Sequence, residues 1–187
     1  HHGEAVAPRK YAGFNANVID LDEPVFFNNG DLKITAFKVI HEPIEPALGY
    51  KFEYKGRSLV ISGDTSYSEN VIKASEGVDV LFHEAQANHM VDIIENFALE
   101  NGAKLRAKLM ADIKTYHTTL IEAADIANKA DVKKLVFYHL TPAPRNYLTE
   151  LMFVRGVNEV RKNWVLSEDG TMIVLPVGSD QIIVDMM

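Results

Sequence analysis

Four short apolar runs in this chain stop on a histidine or a carboxylate, and helical stretches separate the last three of them. Residues 32–40, LKITAFKVI, alternate Leu32, Ile34 and Ala36 with Lys33, Thr35 and Lys38 and then run into His41. That period of two marks a half-buried strand. In GYKFEYKGRSLVIS the alternation of Tyr50, Phe52 and Tyr54 resumes after Lys55-Gly56, which predicts a β-hairpin whose second arm ends at Asp64. VDVLFHEA reads as a brief strand ending in His83-Glu84, and KKLVFYHL as another ending at His139. Between them, Ser68 is placed to cap a short helix, ENVIKASEG, closed by Gly77. Residues 88–113 are helical with a break near Asn101-Gly102, and TTLIEAADIANKA is an amphipathic helix with Thr118 or Thr119 as its cap and Glu122 near the capping-box position. Strands alternating with helices imply an α/β sandwich with at least partly parallel pairing. The tail is expected to add a helix near 147–162 and an antiparallel hairpin, NWVLSEDGTMIVLPVG, turning at Asp169-Gly170. Residues 1–31 are the least legible, reading as loops with one short strand.

Composition narrows what this fold can carry. With 187 residues, 47% of them hydrophobic, the chain holds enough apolar material for one core, so a single domain over residues 1–187 is expected. Cysteine is absent, so a bound metal must be held by histidines and carboxylates. A net charge of −7 opposes broad attraction to nucleic acid or an anionic membrane, and leaves only a local basic patch at Lys104, Arg106 and Lys108. No stretch approaches the ~18–20 apolar residues of a membrane span, and HHGEAVAPRK has no secretory signal pattern. A soluble protein of cytoplasm or periplasm is expected, with the compartment left open.

If the strands lie side by side, His41, Asp64, His83-Glu84 and His139 converge on one rim, the place where α/β proteins bind ligands. Histidines and an aspartate without cysteine suit a divalent-metal hydrolase, because imidazole suits zinc and a carboxylate can bridge two cations. Asp64 is then the bridging candidate. His117 stands just before a helix cap, where an imidazole can give or take a proton near neutral pH. Glu84 can orient His117 or a ligating histidine through the second ring nitrogen, or simply form a salt bridge. Each residue taken singly also has a plainer reading: Gly63-Asp64 as a turn, the histidines as structural, His117 as an exposed loop residue.

The ordered stretches HEPIEPALGYKFEYKGRSLVISGDT, VLFHEA and YHTTLIEAADIANKADVKKLVFYHL resemble the C-terminal half of the metallo-β-lactamase superfamily, in its branch of ribonuclease Z and arylsulfatase-like hydrolases. The resemblance spans most of residues 41–140 and implies an αββα metallo-β-lactamase-like sandwich, of which this chain looks like the C-terminal half. It implies metal ligands at His41, Asp64 (bridging) and His139, and a proton donor at His117, with Glu84 as the second candidate catalytic residue. His83-Glu84-Ala85 matches three letters of the family's HEAT motif with Gln86 in place of the threonine, and His83 is expected to be structural or to stand behind the ligands. The family's His-x-His-x-Asp-His run does not occur in these residues. It is expected upstream of His1, with His1-His2 native rather than a tag remnant.

The resemblance also implies two divalent ions, zinc first and manganese as the alternative, acting on a phosphodiester, sulfate or related small anionic ester. Only one hairpin fits between His41 and Asp64, where tRNA-processing members carry a long arm, so tRNA is not expected as a substrate. The extra length lies in residues 88–113, which could form a helical lid. A chain with three of the expected ligands is expected to be inactive alone and to self-associate, as a homodimer, through the exposed half-fold. The competing reading is a degenerate, non-catalytic member used for binding or assembly.

Overall fold

Lys55 and Gly56 both take positive φ, 47° and 80°. A two-residue hairpin of the type that matches strand twist demands this pair, and it joins β3 (Ala47–Tyr54) to β4 (Arg57–Ile61). The computed structural model describes residues 18–21 and 25–187. Within it, β1 (Val25–Asn29), β2 (Leu32–Val39), β3, β4, β5 (Val80–Gln86), β6 (Lys134–Thr141) and β7 (Trp164–Leu166) form one sheet in sequence order. Pairing is antiparallel from β1 to β4 and parallel from β4 to β7. Two antiparallel steps restore direction, so β2 runs the same way as β4, β5 and β6. Their C-terminal ends therefore share one edge.

Each parallel step needs a crossover. The first is α1 (Glu69–Ala74). The second holds α2 (Asn88–Glu100), α3 (Lys104–Ile113) and α4 (Leu120–Lys129). The third holds α5 (Tyr147–Phe153) and α6 (Val157–Val160). Val60, Leu81, Leu135 and Phe137 on one face of the sheet join Val71 of α1, Ala123, Ala124 and Ala127 of α4, and Phe153 and Val157 in a single buried cluster. Burial of each large side chain contributes roughly 1.5–3 kcal/mol, and the alanines let α4 lie close to the strands. Thr119 caps α4 in a capping box with Glu122, as one of the two expected caps. Ser68 stands at the N-cap of α1, but its hydroxyl makes no capping bond.

The tail departs from the expectation. The helix over 147–162 is two helices broken at Gly156, whose φ is 87°. The segment after it is not a hairpin about Asp169-Gly170. Instead β7 joins the main sheet parallel to β6, and β8 (Thr171–Val174) pairs with β9 (Ile183–Met186) in a separate antiparallel ribbon. Trp164 packs on Phe137, ring centroids 5.9 Å apart, so apolar contact with the core draws β7 into the sheet and away from β8. The strand holding His83-Glu84 also continues to Gln86, and the strand holding His139 continues to Thr141. In the N-terminal region β1 supplies the expected short strand, while His1 and His2 lie outside the described residues. Among the described residues, no helix is long and apolar enough to cross a membrane.

Candidate active site

The shared strand edge gathers residues far apart in the chain. Thr65 holds two of its segments together. Its hydroxyl accepts the amide of Ile40 at 3.0 Å, and the Ser66 amide donates to the Ile40 carbonyl at 2.8 Å, so His41 is pinned beside the loop that carries Asp64. That loop needs its glycine. Gly63 has φ of 67°, and a Cβ there would lie 2.3 Å from the carbonyl oxygen of Leu48. A glycine stands at this strand end because the backbone of β3, at Leu48, passes where any side chain would stand.

His139 reaches the rim by a backbone irregularity. Glu84 pairs with Tyr138 and Ala85 with Leu140, so His139 is the extra residue of a β-bulge, with φ of 46°. A bulge re-aims a side chain, and here it brings His139 Nε2 to 3.4 Å from Asp64 Oδ2. The His117 ring lies between the other two histidines, 5.4 Å from His41 and 5.8 Å from His139 between centroids. Tyr116 closes the group at 4.9 Å from His41 and 5.1 Å from His117.

Beneath these rings lies Glu84, fully buried. Its Oε1 accepts from His117 Nδ1 at 2.9 Å and from the amides of Thr65 and Thr118, each at 3.1 Å. One carboxylate thus ties the Asp64 loop to the His117 loop. Burial pulls the His117 pKa down, but the hydrogen bond and charge of Glu84, with the charge of Asp64, outweigh it and hold it above the ordinary imidazole value. Because Nδ1 donates to Glu84, Nε2 is the nitrogen able to hand over a proton. Glu84 has no exposure to solvent, so its contacts are with His117 and the two loops. His83, its neighbour, points to the opposite face: it is fully buried, hydrogen-bonded through Nδ1 to the Glu84 carbonyl at 2.8 Å, and its pKa is lowered by burial.

His41, Asp64, Glu84, His117 and His139 therefore come together at one rim. The three expected ligands do not form a ligand cluster by themselves. Among the described residues no group of three or more histidines and carboxylates is gathered in metal-holding geometry, and of His41, Asp64 and His139 only Asp64 and His139 form a close pair. The donor chemistry suits a divalent ion, and the donor count is incomplete. Sequence reasoning missed Tyr116, Thr65 and Thr118, whose parts depend on contacts between distant segments. It also left Gln86 unexplained: its Nε2 donates to Asn88 Oδ1 at 2.7 Å and to the Ile113 carbonyl at 3.4 Å, fastening both ends of residues 88–113 to the rim.

Residues 1–140 match the Beta-lactamase superfamily domain. The chain belongs to that superfamily, and its sheet and flanking helices are the mixed α/β architecture of the metallo-β-lactamase fold. Among its relatives are Ribonuclease Z of Mycobacterium tuberculosis (strain H37Rv), 31% identical over 103 residues, covering 55% of this chain and 34% of that protein. Ribonuclease Z of Mycobacterium marinum is 28% identical over 143 residues, covering 76% and 46%. The metallo-beta-lactamase fold protein YhfI from Bacillus subtilis shares the fold, with a TM-score of 0.54 at 22% identity over 79% of this chain and 50% of that one. The chain thus spans less than half the length of these two curated relatives.

Proposed function

We propose that this chain carries the proton-donating and part of the metal-holding machinery of a hydrolase acting on a small phosphodiester, sulfate or related anionic ester. The observation that carries this reading is the His117–Glu84 pair, set on the same rim as Asp64 and His139. Asp64, His139 and His41 would hold two divalent ions, zinc first and manganese as the alternative, with further ligands from residues other than those described. Such ions supply Lewis acidity and a water whose pKa falls from ~15.7 toward ~7. His117, whose pKa Glu84 raises, would give its Nε2 proton to the departing oxygen, a contribution of ~10²–10⁴-fold.

A cleft of about 760 Å³ opens beside His139, lined by Arg145, Glu150, Glu168 and Asp169 among others. One cation facing three carboxylates favours a substrate of low charge over a polyanion, which supports a small ester and speaks against tRNA. The incomplete donor count favours inactivity of these residues on their own, and it is also what a non-catalytic binding module would show. Metal binding separates the two. Isothermal titration with zinc and with manganese, on the protein and on Asp64→Asn, should show loss of at least about tenfold in affinity in the variant. Equal metal affinity, or none in either protein, would refute the metal-holding assignment. Assay of bis(p-nitrophenyl) phosphate against p-nitrophenyl sulfate then ranks the ester classes.

A further inference from the structure

Pairing of β1 with β2 stops at Thr35, so among the described residues no strand covers the outer edge of β2 from Ala36 onward, and α1 packs beside it. Asn70 of α1 donates through Nδ2 to the Lys38 carbonyl at 3.0 Å and fixes the two walls. Between them lies a cavity of about 590 Å³, within the roughly 300–1,000 Å³ of small-molecule sites. Lys38 and Lys51 from the strands and Lys73 from the helix line it, with Ala36, Phe37 and Ala74 as its apolar part. The register explains why they meet. Lys51 stands opposite Thr35 and so shares a face of the sheet with Phe37, which packs against the buried cluster that includes α1. Asn70, Lys73 and Ala74, three and four residues apart, share one side of α1.

Charge sets this cavity apart. The chain has 26 acidic residues against 19 lysines and arginines, and Lys33, Lys55, Lys108, Lys114, Lys129 and Lys133 each engage a carboxylate. Lys38, Lys51 and Lys73 have no ion-pair partner among the described residues, although Lys51 is half-buried, and no carboxylate lines their cavity. The cleft beside His139 has the opposite character, one arginine facing three carboxylates. Three like charges held around one cavity repel each other, and an anion placed among them relieves that repulsion.

We propose that this cavity is a second binding site, separate from the histidine rim, for a small phosphate monoester with an apolar or aromatic body of about nucleotide size. A phosphate monoester carries about −1.5 to −2 charges near pH 7, which three ammonium groups can balance and a single carboxylate cannot. Lysine suits it: an ammonium is a point charge with rotatable donors, whereas a planar carboxylate is matched by the fork of an arginine, which this cavity lacks. Phe37, Ala36 and Ala74 give the organic body a surface that free phosphate could not use. The net charge of −7 disfavours a polynucleotide, whose phosphates beyond this cavity would meet an acidic surface. The site stands whether or not the hydrolase reading holds.

Isothermal titration in excess EDTA tests it, since chelation keeps any divalent ion at His41, Asp64 and His139 from holding the phosphate. AMP, UMP and phenyl phosphate are the probes, with adenosine and inorganic phosphate as the two halves of the first. One of the three esters should bind in a single equivalent, and AMP at least about tenfold more tightly than adenosine or inorganic phosphate. Lys51→Gln and Lys73→Gln should each weaken that binding at least about tenfold with an unchanged circular dichroism spectrum, and Lys104→Gln/Lys162→Gln, far along the chain, should change it less than about twofold. Saturable binding by none of the three esters overturns the proposal, as does equal affinity for AMP and inorganic phosphate. Equal weakening by the Lys104/Lys162 variant would reduce the effect to general charge attraction and overturn it too. An oligoadenylate bound at least about 100-fold more tightly than AMP would assign the lysines to RNA instead.

Discussion

Replacing Glu84 by glutamine keeps the shape of the side chain and removes its charge, and the structure sets what that should cost. Three donors share Oε1: His117 Nδ1 at 2.9 Å and the amides of Thr65 and Thr118 at 3.1 Å. A hydrogen bond to an ion contributes about 1.5–3 kcal/mol and a neutral one about 0.5–1.5, so the three together lose about 3 kcal/mol. The new amide nitrogen takes the place of Oε2, which has no partner among the described residues, and adds an unsatisfied donor. Relief from burying a charge offsets part of this. The net loss of about 2–4 kcal/mol corresponds to a fall in Tm of about 5–15 °C for a chain of this size. The pH dependence changes as well. In the wild type the raised His117 pKa adds stability that is fully present below the unfolded value of ~6.5 and is lost as pH rises through the folded value. Glu84→Gln should abolish that component and lower the His117 pKa, since burial then acts with only Asp64 opposing it. Calorimetry of the metal-free protein at several pH values, with an NMR titration of the His117 ring, reads both effects. A Tm within ~1 °C of wild type, or an unmoved His117 titration, would show that Glu84 does not hold this site together.

Gly63→Ala should cost more than about 3 kcal/mol by urea denaturation, because its Cβ would lie 2.3 Å from the Leu48 carbonyl at a φ of 67°. Gly30→Ala, also at positive φ but with nothing within 4 Å, should lose only about 1 kcal/mol. Arg57→Met should cost about 3–5 kcal/mol. It leaves Asp79 with only Lys133 and the Ser58 amide and frees the carbonyls of Pro176, Ser179 and Gln181, so hydrogen exchange in β8 and β9 should quicken; unchanged exchange would refute the clamp. His117→Ala should spare metal binding and slow turnover by ~10²–10⁴-fold, least for esters with good leaving groups. An equal loss for all leaving groups would remove it from proton donation.

Local signals made much of the fold legible. The alternation in β2 and β3, the Lys55-Gly56 turn and the Thr119/Glu122 capping box depend on neighbours within a few residues, and each is where the pattern put it. The tail was not legible, because Trp164 to Leu166 could pair with β8 or with β6, and packing on Phe137, distant in sequence, settles the choice. His83 and Glu84 were read as one pair at a strand end. A strand sends successive side chains to opposite faces, so one became core and the other the centre of the rim. The bulge at His139 left no mark in sequence, since histidine is a residue that tolerates left-handed φ without signalling it.

From sequence alone came the order of strands and helices from β2 to β6, the residues able to do chemistry, and the family whose motifs they spell, because periodicity and residue type are properties of short segments. Tertiary structure alone decided that the β2 and β4 ends share an edge, that a bulge turns His139 onto Asp64, and that one buried carboxylate serves His117 and two loops. Those depend on backbone direction, close approach and desolvation, which exist only once distant segments are packed together.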